Sequence, residues 1–367
     1  MFRVEMLPAH QGDALWVEYG DSEQPHRIVI DGGTPPTNKV LEQRILALPP
    51  EQRRLELLLI SHIDSDHIGG LLKVLADPVL NVAVDQVWFN GYQHLPDSPA
   101  DTLGPVEGEI ISTWIDRRGL PWNRSFSAGA VVVPAEGPLP VHELPGGMRL
   151  TLLSPGPDQL RQLRREWSAT IRAAGINTVG PRTPADTAVI GALAARRGVP
   201  LDLLGPSEVD VRQLAATAFQ PDRSSPNGSS IVVLAEYNGA AVLFGADGFP
   251  GVIESNVRRL LRERGRERLQ IDAFKVPHHG SRHNVNITLL EALSCRRYLF
   301  STNGAIFGHP DEEAVARIIA SGDRDSTLHF NYRSAQNSMW SDDSLQRKAG
   351  FQTCFPEPGQ TGLALEL

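Results

Sequence analysis

Apolar residues along this chain fall into short runs that are separated by glycine, proline and aspartate. One early run shows the two-residue period of a β-strand with two different faces, because Leu15, Val17 and Tyr19 alternate with Trp16 and Glu18. Longer segments with the spacing of helices lie between such runs. This alternation of strand and helix predicts a layered α/β fold.

The pattern divides the chain into three parts: residues 1–156 and 221–367, in which strands and helices alternate, and residues 157–220, which read as helices alone. We therefore expect two halves of one α/β fold, separated by a helical insertion. The expected strands are Phe2–Leu7, Ala14–Tyr19, Arg27–Ile30, Leu55–Ile60, Gln86–Phe89, Arg149–Leu153, Ser230–Tyr237, Ala240–Phe244, Ile271–Val276, Tyr298–Ser301, Thr327–Phe330 and Gly362–Glu366. The expected helices are Lys39–Leu48, a helix from Asp66 to about Leu75, Val106–Asp116, Gln159–Ala173, Ala185–Arg197, Asp210–Ala218, Gly251–Arg268, Val285–Leu293 and Glu312–Ser321.

The run from Ser61 to Gly70 carries the most informative chemistry. It places two histidines, His62 and His67, beside two aspartates, Asp64 and Asp66, directly after an apolar strand. Imidazole and carboxylate are the groups that hold hard or borderline divalent cations. An aspartate before a helix often acts only as a cap, which explains either aspartate alone but not the flanking histidines. The run therefore predicts a metal site.

Further candidate ligands stand at the ends of other expected strands: Asp31, Asp247, the pair His278-His279, and His309. Singly they mean little, since a lone aspartate before glycines is usually a turn residue and a lone histidine is more often structural. Adjacent histidines point to different sides, so one is expected to be a ligand and the other to lie behind the ligands or to face the substrate. Together these groups predict that the halves meet at one sheet edge to hold two cations, which lower the pKa of a shared water.

Composition limits the classes of function. The chain has 367 residues, is 41% hydrophobic and carries a net charge of −8, which suits a globular protein with a large core. The acidic balance excludes a protein whose whole surface grips duplex nucleic acid, but not one that binds a nucleotide or a strand end. We expect no secretory signal and no membrane contact, and a cytoplasmic location in which Cys295 and Cys354 stay free thiols.

The motifs together resemble the metallo-β-lactamase superfamily. His62-x-Asp64-x-Asp66-His67 is similar to its HxHxDH motif, with Asp64 where the commonest pattern has histidine. The resemblance is closer to one branch, the metallo-hydrolase domain of the bacterial competence DNA-uptake channel and its soluble relatives. The segments that carry this closer resemblance are Gly12-Asp13-Ala14, Asp31-Gly32-Gly33, His62–Gly70, Asn227–Ser230, Gly245–Asp247, His278–Ser281 and Gly308–Pro310.

The resemblance implies a four-layer αββα sandwich with two divalent metal ions, Zn²⁺ or Mn²⁺, at one edge, and residues 157–220 as an insertion without counterpart. It assigns His62, Asp64 and a bridging Asp247 to one cation, and Asp66, His67, Asp247 and His278 to the other. Other roles are expected as follows: Asp66, His279 and His309 in catalysis, Asn227, Ser229 and Ser281 in substrate binding, and Asp13 and Asp31 in supporting structure.

The function implied by the resemblance is hydrolysis of a phosphodiester in nucleic acid or a nucleotide. Two alternatives stay open from the sequence. In the first alternative, the substrate is a non-nucleotide ester, such as a thioester, a lactone or a phosphocholine ester. In the second, the protein is an effector that acts only with a protein partner bound through the insertion. Oligomeric state is not predicted.

Overall fold

A computed structural model of the chain describes residues 1–96, 106–173 and 209–367. The expected helix Ala185–Arg197, and with it most of the expected insertion, lies outside the described residues. Its proposed role in partner binding therefore stays a prediction.

Strands and helices alternate through most of the described chain. The strands are β1 (Phe2–Met6), β2 (Leu15–Gly20), β3 (Pro25–Ile30), β4 (Arg54–Leu55), β5 (Leu57–Leu59), β6 (Ala83–Val84), β7 (Val87–Trp88), β8 (Val141–Glu143), β9 (Arg149–Ser154), β10 (Val232–Tyr237), β11 (Ala240–Phe244), β12 (Leu269–Gln270), β13 (Ala273–Lys275), β14 (Leu293–Ser294), β15 (Arg297–Phe300), β16 (Ser326–Phe330), β17 (Phe351–Cys354) and β18 (Leu363–Glu366). The helices are α1 (Asn38–Leu46), α2 (Ser65–Ala76), α3 (Val106–Arg117), α4 (Pro157–Ala173), α5 (Val211–Ala215), α6 (Ser225–Gly228), α7 (Pro250–Arg264), α8 (Ile287–Glu291), α9 (Glu312–Ser321) and α10 (Asp343–Ala349).

Two large sheets form the centre of the fold. The first has the strand order β18-β1-β2-β3-β5-β7, and the second has the order β17-β16-β15-β13-β11-β10-β9-β8. The expected alternation in β2 is confirmed: Leu15, Val17 and Tyr19 lie in the apolar core that includes both sheets. Trp16, on the opposite face, packs into a second core with α1 to α4. Because helices α7 to α9 contribute apolar residues to the core on the second sheet's side, the layers run helix, sheet, sheet, helix, as expected for the metallo-β-lactamase fold.

The sheets do not follow the division of the sequence at residue 156. Strands β8 and β9, which precede that point, belong to the second sheet, where β9 pairs antiparallel with β10. The last strand, β18, returns to the first sheet and pairs antiparallel with β1. Strand β17 and helix α10 add to the second half two elements that the apolar pattern did not predict.

Parallel strands in both sheets direct their carboxyl ends to the same edge of the sandwich. In the first sheet, β3, β5 and β7 are parallel neighbours. In the second sheet, the same is true of β11, β13 and β15. Loops at the ends of these strands also connect the sheets, since the Ile231 amide donates to the Ser61 carbonyl at 2.9 Å and the Ser301 hydroxyl donates to the Gly12 carbonyl at 2.9 Å. The loops that carry the candidate site residues are therefore fixed against one another.

Among the helices of the described residues, none combines the length and the apolar character that crossing a bilayer requires.

Arg317 on α9 supports one of these loops from behind. Its buried guanidinium donates to the carbonyls of Arg282 and Val285, at 2.7 and 2.9 Å, and to the carbonyl of Thr217 at 3.0 Å. Burial lowers the pKa of Arg317, and the nearby charge of Glu313 opposes that effect. Because the guanidinium is the hydrogen-bond donor to three carbonyls, it holds the segment that follows His278-His279.

We expect Arg317→Met to lower the free energy of unfolding by about 3 kcal/mol, because it leaves buried carbonyls without a donor. Urea unfolding followed by tryptophan fluorescence measures this change. The matched control is Arg258→Met on α7. The half-exposed side chain of Arg258 pairs with Glu254 one turn away, and its loss should lower the free energy of unfolding by no more than about 0.5 kcal/mol. An equal loss of unfolding free energy in the two variants would contradict a supporting role for Arg317.

Candidate metal centre

The loop between β5 and α2 is shaped around its metal-ligand residues. Asp64 occupies the position before the first turn of α2 with an extended backbone, but its carboxylate accepts no capping hydrogen bond. Instead, Asp64 Oδ2 lies 3.7 Å from His62 Nε2. The interpretation of Asp64 as a simple helix cap is therefore wrong, because the side chain turns away from the helix amides.

The loop around Gly12 packs directly on the start of α2. The Asp13 amide donates to the Asp66 carbonyl at 3.2 Å, and a Cβ atom at Gly12 would lie only 1.7 Å from that same oxygen. Only glycine allows so close an approach of two backbones. The Gly12-Asp13 pair therefore holds the backbone of Asp66 in place.

Asp31 supports the imidazole of His67. Asp31 Oδ1 accepts from the Ser61 amide at 2.7 Å, Oδ2 accepts from the Ser61 hydroxyl at 2.6 Å, and Oδ2 also lies 2.8 Å from His67 Nδ1. Since Nδ1 is held by a carboxylate, Nε2 is the nitrogen that His67 can offer to a cation. The His62 ring is held similarly, with Nδ1 at 3.0 Å from the Ser61 hydroxyl and 3.3 Å from the Ser230 hydroxyl.

The two adjacent histidines are held by different partners. His278 Nδ1 lies 2.9 Å from Asn284 Oδ1, and His279 Nδ1 lies 2.9 Å from the Ser301 carbonyl. Both histidines have a positive φ, +48° and +56°, a conformation that is uncommon outside glycine and occurs more often at functional sites. This backbone turns the two imidazoles toward different parts of the site.

Asp247, directly after β11, lies between two sets of donor atoms. Its Oδ2 is 3.9 Å from His62 Nε2 and 3.6 Å from His278 Nε2. Its Oδ1 is 3.3 Å from His67 Nε2 and 3.8 Å from His279 Nε2, and the latter atom is 3.6 Å from Asp66 Oδ2. The two oxygens of one carboxylate thus serve two donor sets, which is the arrangement of a bridging ligand.

These separations fit bound cations better than hydrogen bonds. Most exceed normal hydrogen-bond lengths, whereas donors about 2.0–2.2 Å from a tetrahedral ion lie roughly 3.3–3.6 Å apart. Several donor atoms are also buried without any hydrogen-bond partner, which is costly unless something else binds them. They are His62 Nε2, His67 Nε2, His279 Nε2 and Asp247 Oδ1. The residues present therefore fit two divalent cations.

Electrostatics points the same way. Burial opposes ionisation of Asp247, but the facing histidines outweigh it and hold the pKa of that carboxyl well below its usual range. Burial likewise opposes charge on His67, but Asp247 and Asp31 raise its pKa well above the usual value. The cluster of carboxylates therefore favours positive charge at its centre, which cations would supply.

The geometry regroups the ligands that were assigned from the resemblance. His279, rather than His278, lies beside Asp66 and Asp247 Oδ1, and Asp66, His67 and His279 form one of the candidate ligand groups. His278 lies instead on the side of His62 and Asp247 Oδ2. The physical reason is the positive φ of both residues, which rotates His279 inward from the strand end.

The residues expected to bind substrate fall into different environments. Asn227 is buried and donates to Asp222 Oδ2 at 2.7 Å, while its own Oδ1 has no partner. Ser229 is buried and donates to the Pro226 carbonyl at 2.6 Å. The Ser281 hydroxyl accepts from the His283 amide at 3.2 Å. The two serines therefore serve their own turns, and Asn227 is the one of the three with an atom left unpartnered.

His309 lies at the rim of the site. Its ring is 5.3 Å from that of His278, and its Nδ1 is 3.3 Å from Asp311 Oδ1. The exposed ring of Phe307 stacks beside it, with centroids 6.2 Å apart. A path of aromatic rings thus leads from the surface through His309 to His278.

Several supporting residues were not predicted from the sequence. Asp222 accepts from Asn227 and from Asn284, at 2.7 and 3.0 Å, and lies 3.4 Å from His278 Nδ1. The Ser230 hydroxyl accepts from the Asp247 amide. Lys275 is buried beside Asp13. For Lys275 a signal existed, namely a charged residue inside an apolar strand, but Asp222 stands in a polar segment that gives no such signal.

His94 and His142 lie in aromatic surroundings. His94 packs against Trp122 with centroids 4.5 Å apart, and burial lowers its pKa to about 4. His142 lies against Trp88 and Phe126. Both act as apolar packing residues.

One protein-family match covers part of the chain. Residues 8–151 match the metallo-beta-lactamase superfamily. The matched segment begins two residues after β1, ends within β9 and includes the loop with His62, Asp64, Asp66 and His67. It supports the superfamily, and it does not decide between branches.

No curated protein matches the chain. Among solved structures, the chain is similar to zinc-bound PqqB from Methylobacterium extorquens, at 12% identity over 100% of both chains with a TM-score of 0.39. It is similar to a diphosphatase from the PhnP family, at 13% identity over 97% of this chain and 84% of that one, with a TM-score of 0.34. It is also similar to a variant of the β-hydroxylase CmlA, at 13% identity with a TM-score of 0.38. The similarity covers 100% of this chain and 54% of CmlA, so the chain spans about half of that protein's length.

We expect the metallo-β-lactamase-like site to bind two divalent cations per chain, and Asp247→Asn to reduce uptake to at most one. The amide removes the charge and one donor oxygen of the bridging group. Affinity should fall by at least roughly 100-fold, because the loss of even a supporting group costs roughly 10- to 100-fold. Equilibrium dialysis against Zn²⁺ or Mn²⁺, with elemental analysis of the protein, measures both values.

The matched control is Asp85→Asn, which removes an equal charge from a surface pair with Arg54. It should leave the metal content unchanged. A wild-type protein that takes up no cation, or an Asp247→Asn variant that takes up two, would contradict the metal centre.

Proposed function

We propose that the protein is a metal-dependent hydrolase that cleaves phosphodiesters in nucleic acid or in a nucleotide with two divalent cations, Zn²⁺ or Mn²⁺. The observation that carries this proposal is the position of Asp247, whose two oxygens face two separate donor sets. Two cations in this arrangement would lower the pKa of a water between them and neutralise charge on a phosphate. The branch of the competence-channel hydrolase domain is part of the same proposal.

The donor atoms favour a substrate with hard oxygen atoms. Asp64 stands where the commonest pattern of the superfamily has histidine, and its carboxylate is 40% exposed beside His62. Two carboxylates, Asp64 and Asp247, therefore serve the first cation position. Oxygen-rich sites suit harder ions such as Mn²⁺, and these ions in turn suit phosphate oxygens.

Asp66 and His309 are the residues that we assign to steps of the reaction. The Asp66 side chain is 16% exposed, so one of its oxygens can accept a hydrogen bond from the attacking water and orient it. His309, held at Nδ1 by Asp311, has Nε2 left for a phosphate or leaving-group oxygen. His279, which the sequence also nominated for proton transfer, is fully buried with both nitrogens directed at fixed groups, and we assign it to metal binding.

Phe307 favours a nucleotide over the other esters. It is 53% exposed on the short loop before His309, and its ring is stacked with His309. Exposed aromatic rings beside a phosphate site serve as stacking surfaces for bases. The acidic net charge of −8 favours a strand end or a small nucleotide over a long duplex. Both cysteines are free, and we keep the proposal of a cytoplasmic location.

A substrate panel tests the proposed reaction. We expect the metal-loaded protein to cleave a single-stranded oligonucleotide, a dinucleotide or a cyclic nucleotide, and to leave a thioester, a lactone and a phosphocholine ester intact. Asp66→Asn and Asp247→Asn should each lower kcat/KM on the order of 10³-fold, since a cation contributes several kcal/mol of charge stabilisation.

Asp85→Asn again serves as the control, with circular dichroism to show that all variants are folded. Turnover of the thioester or lactone in preference to every phosphodiester would refute the proposed substrate class. Full activity in both site variants would refute the mechanism.

Phe307→Ala tests the nucleotide preference separately. We expect it to raise KM for a dinucleotide roughly 5- to 150-fold with little change in kcat, because base stacking contributes about 1–3 kcal/mol. KM for an abasic analogue of the same phosphodiester should not change, and Phe307→Tyr should behave as wild type. Val79→Ala, at another exposed apolar side chain, is the control. Equal effects on both substrates would argue against stacking.

A further inference from the structure

Lys275 is buried at the end of β13, with 0% of its side chain exposed. Lysine is almost never fully buried unless it is paired, and its ammonium donates to Asp13 Oδ2. Asp13 lies in the turn before β2, so this ion pair joins residues that are 262 positions apart and belong to different halves of the chain. The metal ligands described above do not include either residue.

Asp13 contacts the second donor set in two ways. Its Oδ1 lies 3.3 Å from His279 Nδ1, the nitrogen that also faces the Ser301 carbonyl at 2.9 Å. Its backbone amide donates to the Asp66 carbonyl. One residue thus lies behind a ligand from the second half and a ligand from the first half.

This placement matters because the second donor set is complete only when the two sheets are packed against each other. Asp66 and His67 follow β5, whereas Asp247 and His279 follow β11 and β13. A buried charge on either side of that junction is costly unless its partner is present. The ion pair therefore favours the one arrangement in which His279 Nε2 faces Asp66 and Asp247.

We propose that the Lys275–Asp13 ion pair is a positioning element for the second cation position, which joins the two sheets at the metal centre and fixes the His279 imidazole with Nε2 facing inward. The inference rests on the metal centre of the proposed function and is independent of the substrate. Lys275 and Asp13 act on the site through their contacts with His279 and Asp66.

Cobalt titration of the full chain tests the inference, because the visible absorption of bound Co²⁺ reports the geometry of each ion independently of turnover. The variants are Lys275→Met, Asp13→Asn and the double variant Asp13→Asn/Lys275→Met. The control is Arg27→Met, which removes the cation of another buried ion pair, Arg27–Glu18, whose partners both lie in the first sheet.

We expect each site variant to lower the affinity for one of the two Co²⁺ ions by roughly 10- to 100-fold and to change the visible spectrum of that ion. The other ion should bind as in wild type. Arg27→Met should shift the urea midpoint of the metal-free protein but leave both ions unchanged. The double variant carries no unpaired charge, so it provides the decisive measurement if a single variant does not fold.

If the double variant binds two ions with wild-type affinity and spectrum, the proposed role of the ion pair is overturned. The metal centre itself is not contradicted by that result. A loss of cobalt in Arg27→Met equal to that in the site variants would overturn the role of the ion pair too, since the effect would then be one of general stability. A wild-type chain that binds no cobalt would overturn the metal centre itself. Failure to cleave any phosphodiester would bear only on the proposed substrate.

Discussion

Each imidazole of the metal centre is held at Nδ1 by a fixed neighbour, and the geometry of the centre depends on this constraint. Asp31 holds His67, Asn284 holds His278, the Ser301 carbonyl holds His279, and two serine hydroxyls hold His62. A neutral imidazole has one donor and one acceptor nitrogen, so fixing Nδ1 decides both the tautomer and the direction of Nε2. The four Nε2 atoms therefore converge on the Asp247 carboxylate.

The supporting neighbours come from both sheets because parallel strands end at one edge of the sandwich. Asp31 follows β3, Ser61 follows β5, and Ser301 follows β15. The edge is also where strands lose their ladder partners, so backbone and hydroxyl groups are available for other hydrogen bonds. The same topology that packs the apolar core thus delivers both the ligands and the groups that orient them.

The sequence predicted the layered fold and the presence of the cluster for clear physical reasons. The alternation in β2 defines the two faces of that strand. The segment from His62 to His67 places four ligand-type side chains close together in the sequence. The choice between His278 and His279 was beyond prediction, because it depends on two positive φ angles that only the folded loop fixes. Asp222 was missed for a related reason: it reaches His278 across 56 positions of chain, and nothing in its own segment marks that contact. Short-range spacing can be read from a sequence, whereas pairing between distant loops requires the structure.

The concentration of buried carboxylates carries a cost in stability that cations can offset. Asp13, Asp31 and Asp247 are all buried, and burial disfavours their charged forms. Hydrogen bonds and the Lys275 ammonium compensate part of that cost, but Asp247 Oδ1 and three imidazole nitrogens stay without hydrogen-bond partners. A ligand that binds only the folded chain stabilises it by mass action, so metal binding and the packing of the two sheets are thermodynamically linked. At this edge of the sandwich, buried polar atoms that the chain's own contacts leave without partners are the atoms that a bound cation would satisfy, and binding there would stabilise the fold.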